Sequence, residues 1–189
     1  MQNIPCVILC GGKSSRMQED KCFLTFKHKS LVRYQYDKMS GLFKRVFISC
    51  KEDKFKGEFS QMIFDERLFG ADFHSPMLAL YSILKGFENS FVFIIAVDMP
   101  FVSKDSIQTL INQTFKAKII LAKTKNKEHF LCGLYHSSLA SLCLEFLNKN
   151  IHKIRTLSQN APTEFVEFAD TKEWANLNSP QDYELFKNA

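Results

Sequence analysis

Ile4-Pro5-Cys6-Val7-Ile8-Leu9-Cys10-Gly11-Gly12-Lys13-Ser14-Ser15-Arg16-Met17-Gln18-Glu19-Asp20-Lys21 decides the fold expected of this chain. Its first part, 4–9, is an unbroken apolar run of strand length. A strand without polar alternation is covered on both faces, which is the habit of a parallel sheet. Two glycines follow at once, and without a Cβ they let the backbone turn sharply and approach a ligand closely. Successive backbone N–H groups in such a turn form a concavity for anions. Lys13, Arg16, Lys21 and Lys27 supply positive charge around it. A Gly-Gly pair after a strand is also ordinary turn punctuation. The stretch has neither the spacing of a P-loop nor the three glycines of a dinucleotide fingerprint.

Working outward, 23–26 is a short extended piece, and Ser30 reads as the N-cap of a helix through Leu31, Tyr34, Met39 and Leu42, with Gly41 near its end. Strands are expected at 46–50 and 61–64, the latter ended by Asp65, and 66–75 reads as a loop. Ser75-Pro76 opens a helix reaching Gly86, with Pro at its first position. The apolar run 91–97 is the strongest strand, and Asp98-Met99-Pro100 ends it. Ser103 caps a helix through Ile107 and Ile111, strands follow at 118–122 and 130–135, and 137–148 reads as a helix. A basic helix is expected at 151–159, short extended pieces at 163–168 and Trp174, and a last helix from Ser179-Pro180 to Lys187. Alternating strands and helices predict one three-layer α/β/α domain spanning 1–189, with a mostly parallel, Rossmann-like sheet.

Hydrophobic residues at 46% and charged residues at 24% fit a soluble globular domain. The net charge of +5 is spread without blocks of like charge, so a small anionic substrate is expected and nucleic acid is not. The six cysteines form no C-x-x-C pair. The run 4–9 has no basic segment before it, and 91–97 is too short to cross a bilayer. A reduced, cytoplasmic protein without a membrane partner is expected, either a monomer or a weak oligomer.

In an open parallel sheet, ligands bind at the carboxyl ends of the strands. The Gly11-Gly12 loop, Asp65 and Asp98 all fall there. Asp98 offers a hard oxygen ligand for Mg²⁺ bridging phosphates, although Asp-x-Pro is also a usual turn sequence. Asn176 or Asn178 can contribute a metal or phosphate contact, although Asn and Ser before Pro also start helices. His74, His129 and His136 show no metal spacing, and His129 either faces an acceptor substrate or lies on the surface. Lys149, His152, Lys153 and Arg155 bind an anionic group, dock a partner, or form a solvated helix face.

Four blocks, 9–21, Asp65 with its following loop, Val97-Asp98-Met99-Pro100-Phe101 and Asn176-Leu177-Asn178-Ser179-Pro180, lie in the order of the MobA-type molybdenum cofactor guanylyltransferases. The chain resembles that family over nearly its whole length. The resemblance implies transfer of GMP from GTP to the phosphate of molybdopterin, with Mg²⁺ as cofactor; a partner docked on the basic segment 149–155 would be one that delivers or receives the cofactor. It implies that Leu9, Cys10 and Gly11 contact the nucleotide through their backbone and that Gly12 lies at the phosphates. Arg16 and Lys21 would neutralise the triphosphate, and Ser49 and Asp65 would help bind the nucleotide. Asp98 would hold Mg²⁺, and Asn176 and Asn178 would serve the acceptor or metal side. Two departures stand out: Gln18 where the family usually has Gly after Arg-Met, and Ser75 with Ala79 where it usually has G-P-x-x-G. Both bear on base preference more than on the reaction. A related CTP-dependent or sugar-phosphate nucleotidyltransferase, and a nucleotide-binding assembly subunit without turnover, are the alternatives.

Overall fold

The computed structural model describes residues 1–11, 20–68, 75–113, 117–169, 171–178 and 181–183. Strand β1 (Cys6–Leu9) is followed, after the glycine segment, by a 3-10 turn at Lys21–Phe23 and a small hairpin of β2 (Thr25–Phe26) and β3 (Lys29–Ser30). Helix α1 (Leu31–Ser40), β4 (Val46–Cys50), β5 (Met62–Phe64), α2 (Pro76–Leu84), β6 (Phe91–Ala96) and α3 (Lys104–Ile111) come next. The chain continues through β7 (Ile119–Lys123), β8 (Glu128–His136), α4 (Ala140–Asn148), α5 (Ile154–Asn160) and β9 (Thr163–Glu167).

Seven strands form one sheet in the order β5-β4-β1-β6-β8-β7-β9. β1 pairs in parallel with β4 and β6, and β4 with β5. β8 runs antiparallel to both β6 and β7, while β7 and β9 are parallel. The sheet is therefore mostly parallel, as the sequence predicts, with one reversed strand. The carboxyl ends of β1, β4, β5, β6, β7 and β9 all meet at a single edge.

Alternate residues of the central strands feed two separate cores, as the two-residue period requires. Cys6 and Ile8 of β1 and Phe93 and Ile95 of β6 pack with Leu31, Val32 and Met39 of α1 and Leu110 of α3. Val7 and Leu9 with Val92 and Ile94 pack on the other face with Leu78 and Ile83 of α2, Cys143 of α4 and Leu157 of α5. This makes the three α/β/α layers. Ser30, Ser75 and Ser103 cap their helices by accepting from the N–H groups of Arg33, Leu78 and Ser106. Each such cap contributes about 1 kcal/mol.

Some elements differ from expectation. Trp174 ends a 3-10 turn, Lys172–Trp174, and is buried, because its indole packs beside His129 and Phe168. The basic helix is shorter than 151–159. Its cations are partly taken up by acids, Arg155 by Glu128 and the preceding Lys149 by Glu145. Of the expected last helix, 181–183 is helical, and its other residues lie outside the described ones. Among the described residues, no helix is long and apolar enough to cross a membrane.

Candidate active site

The turn after β6 brings Asp98 to the carboxyl edge of the sheet, where two distant parts of the chain, Lys21 and 176–178, bond to it. Lys21, at the start of the 3-10 turn beyond the glycine segment, donates from Nζ to Asp98 Oδ2 at 3.0 Å. The same ammonium donates to Asn178 Oδ1 at 3.0 Å. Asn176 Nδ2 donates to Asp98 Oδ1 at 3.2 Å, and Lys127, on the turn between β7 and β8, donates to Asn176 Oδ1 at 2.8 Å. A backbone bond from Leu177 N–H to Asp98 C=O, 2.9 Å, fixes the register of the asparagine segment against the turn. Leu177 and Trp174 are buried there, so two apolar anchors hold the segment while the asparagine amides reach the site.

Helix α1 supports the same turn from beneath. Buried Gln35 donates from Nε2 to Met99 C=O at 3.1 Å, and Lys38 donates from Nζ to Pro100 C=O at 2.8 Å and to Val102 C=O. Burial pushes the Lys38 ammonium down to about 8. A second lysine, Lys54 in the connection between β4 and β5, reaches Cys10 C=O at 2.8 Å and Asp20 Oδ2 at 2.5 Å. Partial burial works against the Asp20 carboxylate, but the hydrogen bonds from Lys54 and the Cys22 N–H outweigh it and hold its pKa below the usual value. Sequence reasoning missed Lys38, Lys54, Lys127 and Gln35, because each lies in a stretch that reads as solvated helix face or connector.

The remaining predicted residues divide clearly. Leu9 C=O accepts from Val97 N–H at 3.0 Å and Cys10 N–H donates to Ser49 C=O at 2.8 Å, so both backbones are tied into the sheet. Gly11 is exposed, and a Cβ built on it would meet nothing within 4 Å. The fold itself therefore does not require glycine at this position. Gly12 and Arg16 lie outside the described residues. Ser49 is fully buried at the end of β4, and its Oγ has no hydrogen-bond partner among the described residues. Asp65 follows β5 at the same edge, with its N–H bonded to Cys50 C=O at 3.1 Å. Of the histidines, His129 is not on the surface: it is buried, its ring 5.0 Å from that of Trp174. His74 lies outside the described residues.

A single carboxylate held between an ammonium and an amide is poorly suited to nucleophilic or acid–base work and well suited to handling phosphates. At the carboxyl edge of a mostly parallel sheet, with a glycine pair following the first strand in sequence, it points to the nucleotidyltransferase class. Comparison with known proteins narrows that class. Residues 6–164 match the MobA-like NTP transferase domain. A molybdenum cofactor guanylyltransferase of Campylobacter jejuni (strain RM1221) is 48% identical, the match covering 100% of this chain and 97% of the relative. The guanylyltransferase of Helicobacter pylori (strain G27) is 33% identical over 98% of this chain and 92% of its own. The crystal structure of molybdopterin-guanine dinucleotide biosynthesis protein A from Archaeoglobus fulgidus, 18% identical and covering 97% of both chains, superposes with a TM-score of 0.81 and shares the fold. The chain belongs to the MobA-like NTP transferase family.

Proposed function

We propose that the chain transfers GMP from GTP to the phosphate of molybdopterin, forming molybdopterin guanine dinucleotide and pyrophosphate. The observation that carries this reading is the junction at Lys21, where one ammonium joins Asp98 and Asn178.

The residues present fit Mg²⁺. Asp98 Oδ2 and Asn178 Oδ1 are hard oxygens that already converge on one cation, the Lys21 ammonium, at 3.0 Å each. Mg²⁺ is commonly bound through one or two protein oxygens together with substrate phosphates and water. Asp98 and Asn178 would hold it, and when bound it neutralises phosphate charge.

The acceptor phosphate is ionised at neutral pH, so no general base is needed. One of its oxygens forms a bond to the α-phosphorus as the bond from that phosphorus to the bridging oxygen of pyrophosphate breaks in line. Lys21 stabilises negative charge on the transferring group and on departing pyrophosphate. Asn176, held by Lys127, orients the Asp98 carboxylate. Arg16 would add charge at the triphosphate, and Ser49 and Asp65 would contact the nucleotide. Six free, buried cysteines accord with a reducing compartment, and we place the activity in the cytoplasm.

Thermal unfolding with Mg²⁺ and each of GTP, CTP, ATP and UTP tests the reading. A ligand at 100 times its Kd stabilises by about 2.7 kcal/mol. A GTP-selective rise that Asp98→Ala abolishes is expected. A CTP-selective rise would make the chain a cytidylyltransferase, and no rise with any nucleotide would overturn the reading.

A further inference from the structure

Cys10 follows the last residue of β1, and Asp20 is the N-cap of the 3-10 turn at Lys21–Phe23. Lys54 touches both, although it stands 44 residues from one and 34 from the other. Its ammonium lies 2.8 Å from Cys10 C=O and 2.5 Å from Asp20 Oδ2. The other oxygen of that carboxylate, Oδ1, accepts the Cys22 N–H at 3.0 Å and so caps the 3-10 turn that begins with Lys21. A continuous path therefore runs from the end of β1, through Lys54 and Asp20, to the backbone that aims Lys21 at Asp98 and Asn178.

We infer that Lys54 is a positioning residue for nucleotide binding: it clasps the residues on either side of 11–19 and, through Asp20, sets where Lys21 points. The inference rests on the nucleotidyltransferase reading of Lys21. Its side chain is only 24% exposed, and that of Asp20 38%. A lysine in solvent gains little from one ion pair and loses rotamer freedom by holding it. Two charge-assisted bonds in a partly desolvated site are stronger and more directional. The competing role is packing. Lys54 Nζ lies 5.4 Å from the Phe55 ring centroid, and Phe55 contacts Phe23 and Phe59. Lys54→Met separates the two roles, because it keeps the apolar stem and removes the donor.

The test compares the full chain with Lys54→Met, Lys54→Arg, Asp20→Asn and the Lys54→Met/Asp20→Asn double variant. The readouts are unliganded Tm, GTP affinity, and the KM of each substrate in GMP transfer. Lys54→Met should weaken GTP binding roughly tenfold or more, the scale for losing a hydrogen bond between charged groups. Unliganded Tm should fall by only a few degrees, the KM for molybdopterin should stay near wild type, and Lys54→Arg should recover part of the loss in GTP binding. Asp20→Asn should weaken GTP similarly, and the double variant should be no worse than either single one, since each opens the same clasp. If Lys54→Met folds poorly, Lys54→Arg and Asp20→Asn carry the same comparison. Unchanged GTP affinity in the single variants, or additive losses in the double, would overturn the role of Lys54 while leaving the activity in place. A wild-type chain that neither binds GTP nor transfers GMP would instead overturn the function, and the role of Lys54 with it.

Discussion

Lys21 and Asp98 form a partly buried ion pair whose weight, on the proposed function, falls on turnover more than on folding. Their side chains are each 17% exposed and 3.0 Å apart, so some desolvation offsets their attraction. Removing the lysine leaves Asp98 still bonded to Asn176. Lys21→Ala should therefore fold with a Tm close to wild type. In the proposed transfer, the same change removes a fixed charge from the place where negative charge would gather. Loss of one such donor costs about 2.7–4 kcal/mol, a rate loss of roughly a hundred- to a thousand-fold. Single-turnover GMP transfer at saturating GTP measures this directly, and wild-type rates in the variant would remove Lys21 from the mechanism.

At the scale of elements, β8 is where local sequence and final structure part. Its apolar run is readable, yet its direction is set by pairing with β6 and β7, which sequence periodicity does not encode. Gly133, in the middle of β8, lies opposite Ile94 and Leu121, next to the irregularity in register between Leu121 and Ala122. A Cβ there would come within 2.2 Å of Ile120 C=O and 2.9 Å of a Leu121 methyl carbon. The nearest atom belongs to the backbone of a central strand, which has nowhere to move. Gly133→Ala should destabilise at or above the upper end of the roughly 1–3 kcal/mol typical of overpacking. A urea midpoint unchanged from wild type would show that β7 and β8 can separate there at no cost. Helix α1 shows the converse. Its cap at Ser30 and its length are local features, whereas the use of Gln35 and Lys38 to hold the turn carrying Asp98 appears only when α1 lies against β6.

Across the whole molecule, the buried thiols and one half-buried lysine shape the response to alkali. Burial pushes Cys50, Cys132 and Cys143 from 9.0 up to about 12, and raises Cys6 and Cys10 as well. A thiol held protonated in the folded state contributes stability that is complete below the unfolded value and is lost as pH rises toward the folded one. Lys38 has the opposite sign, since its folded pKa of about 8 lies below the ordinary 10.5. The unfolded chain then binds the extra proton, and stability rises between these two values. Stability should hold or rise slightly from pH 8 to 9, then fall steeply toward pH 12 as the thiols of the unfolded chain ionise. Urea unfolding along this range checks the sign, and Cys143→Ala should flatten the fall. A stability still rising at pH 11 would contradict the burial of these cysteines.

The sequence by itself determined much of what depends on neighbours along the chain. The buried strands show in their unbroken apolar runs, the helix starts in Ser30, Ser75 and Ser103, and the family in four short motifs that include Lys21, Asp98, Asn176 and Asn178. The α/β/α layering follows from the alternation of those elements. Tertiary structure alone decided the reversed direction of β8, the burial of His129 against Trp174, and the meeting of Lys54 with Cys10 and Asp20. Lys127 and Asn176 are likewise 49 residues apart. The physical reason is that strand direction and side-chain partnership across such distances are selected by the packing of the whole sheet, whereas periodicity and capping act within a few residues.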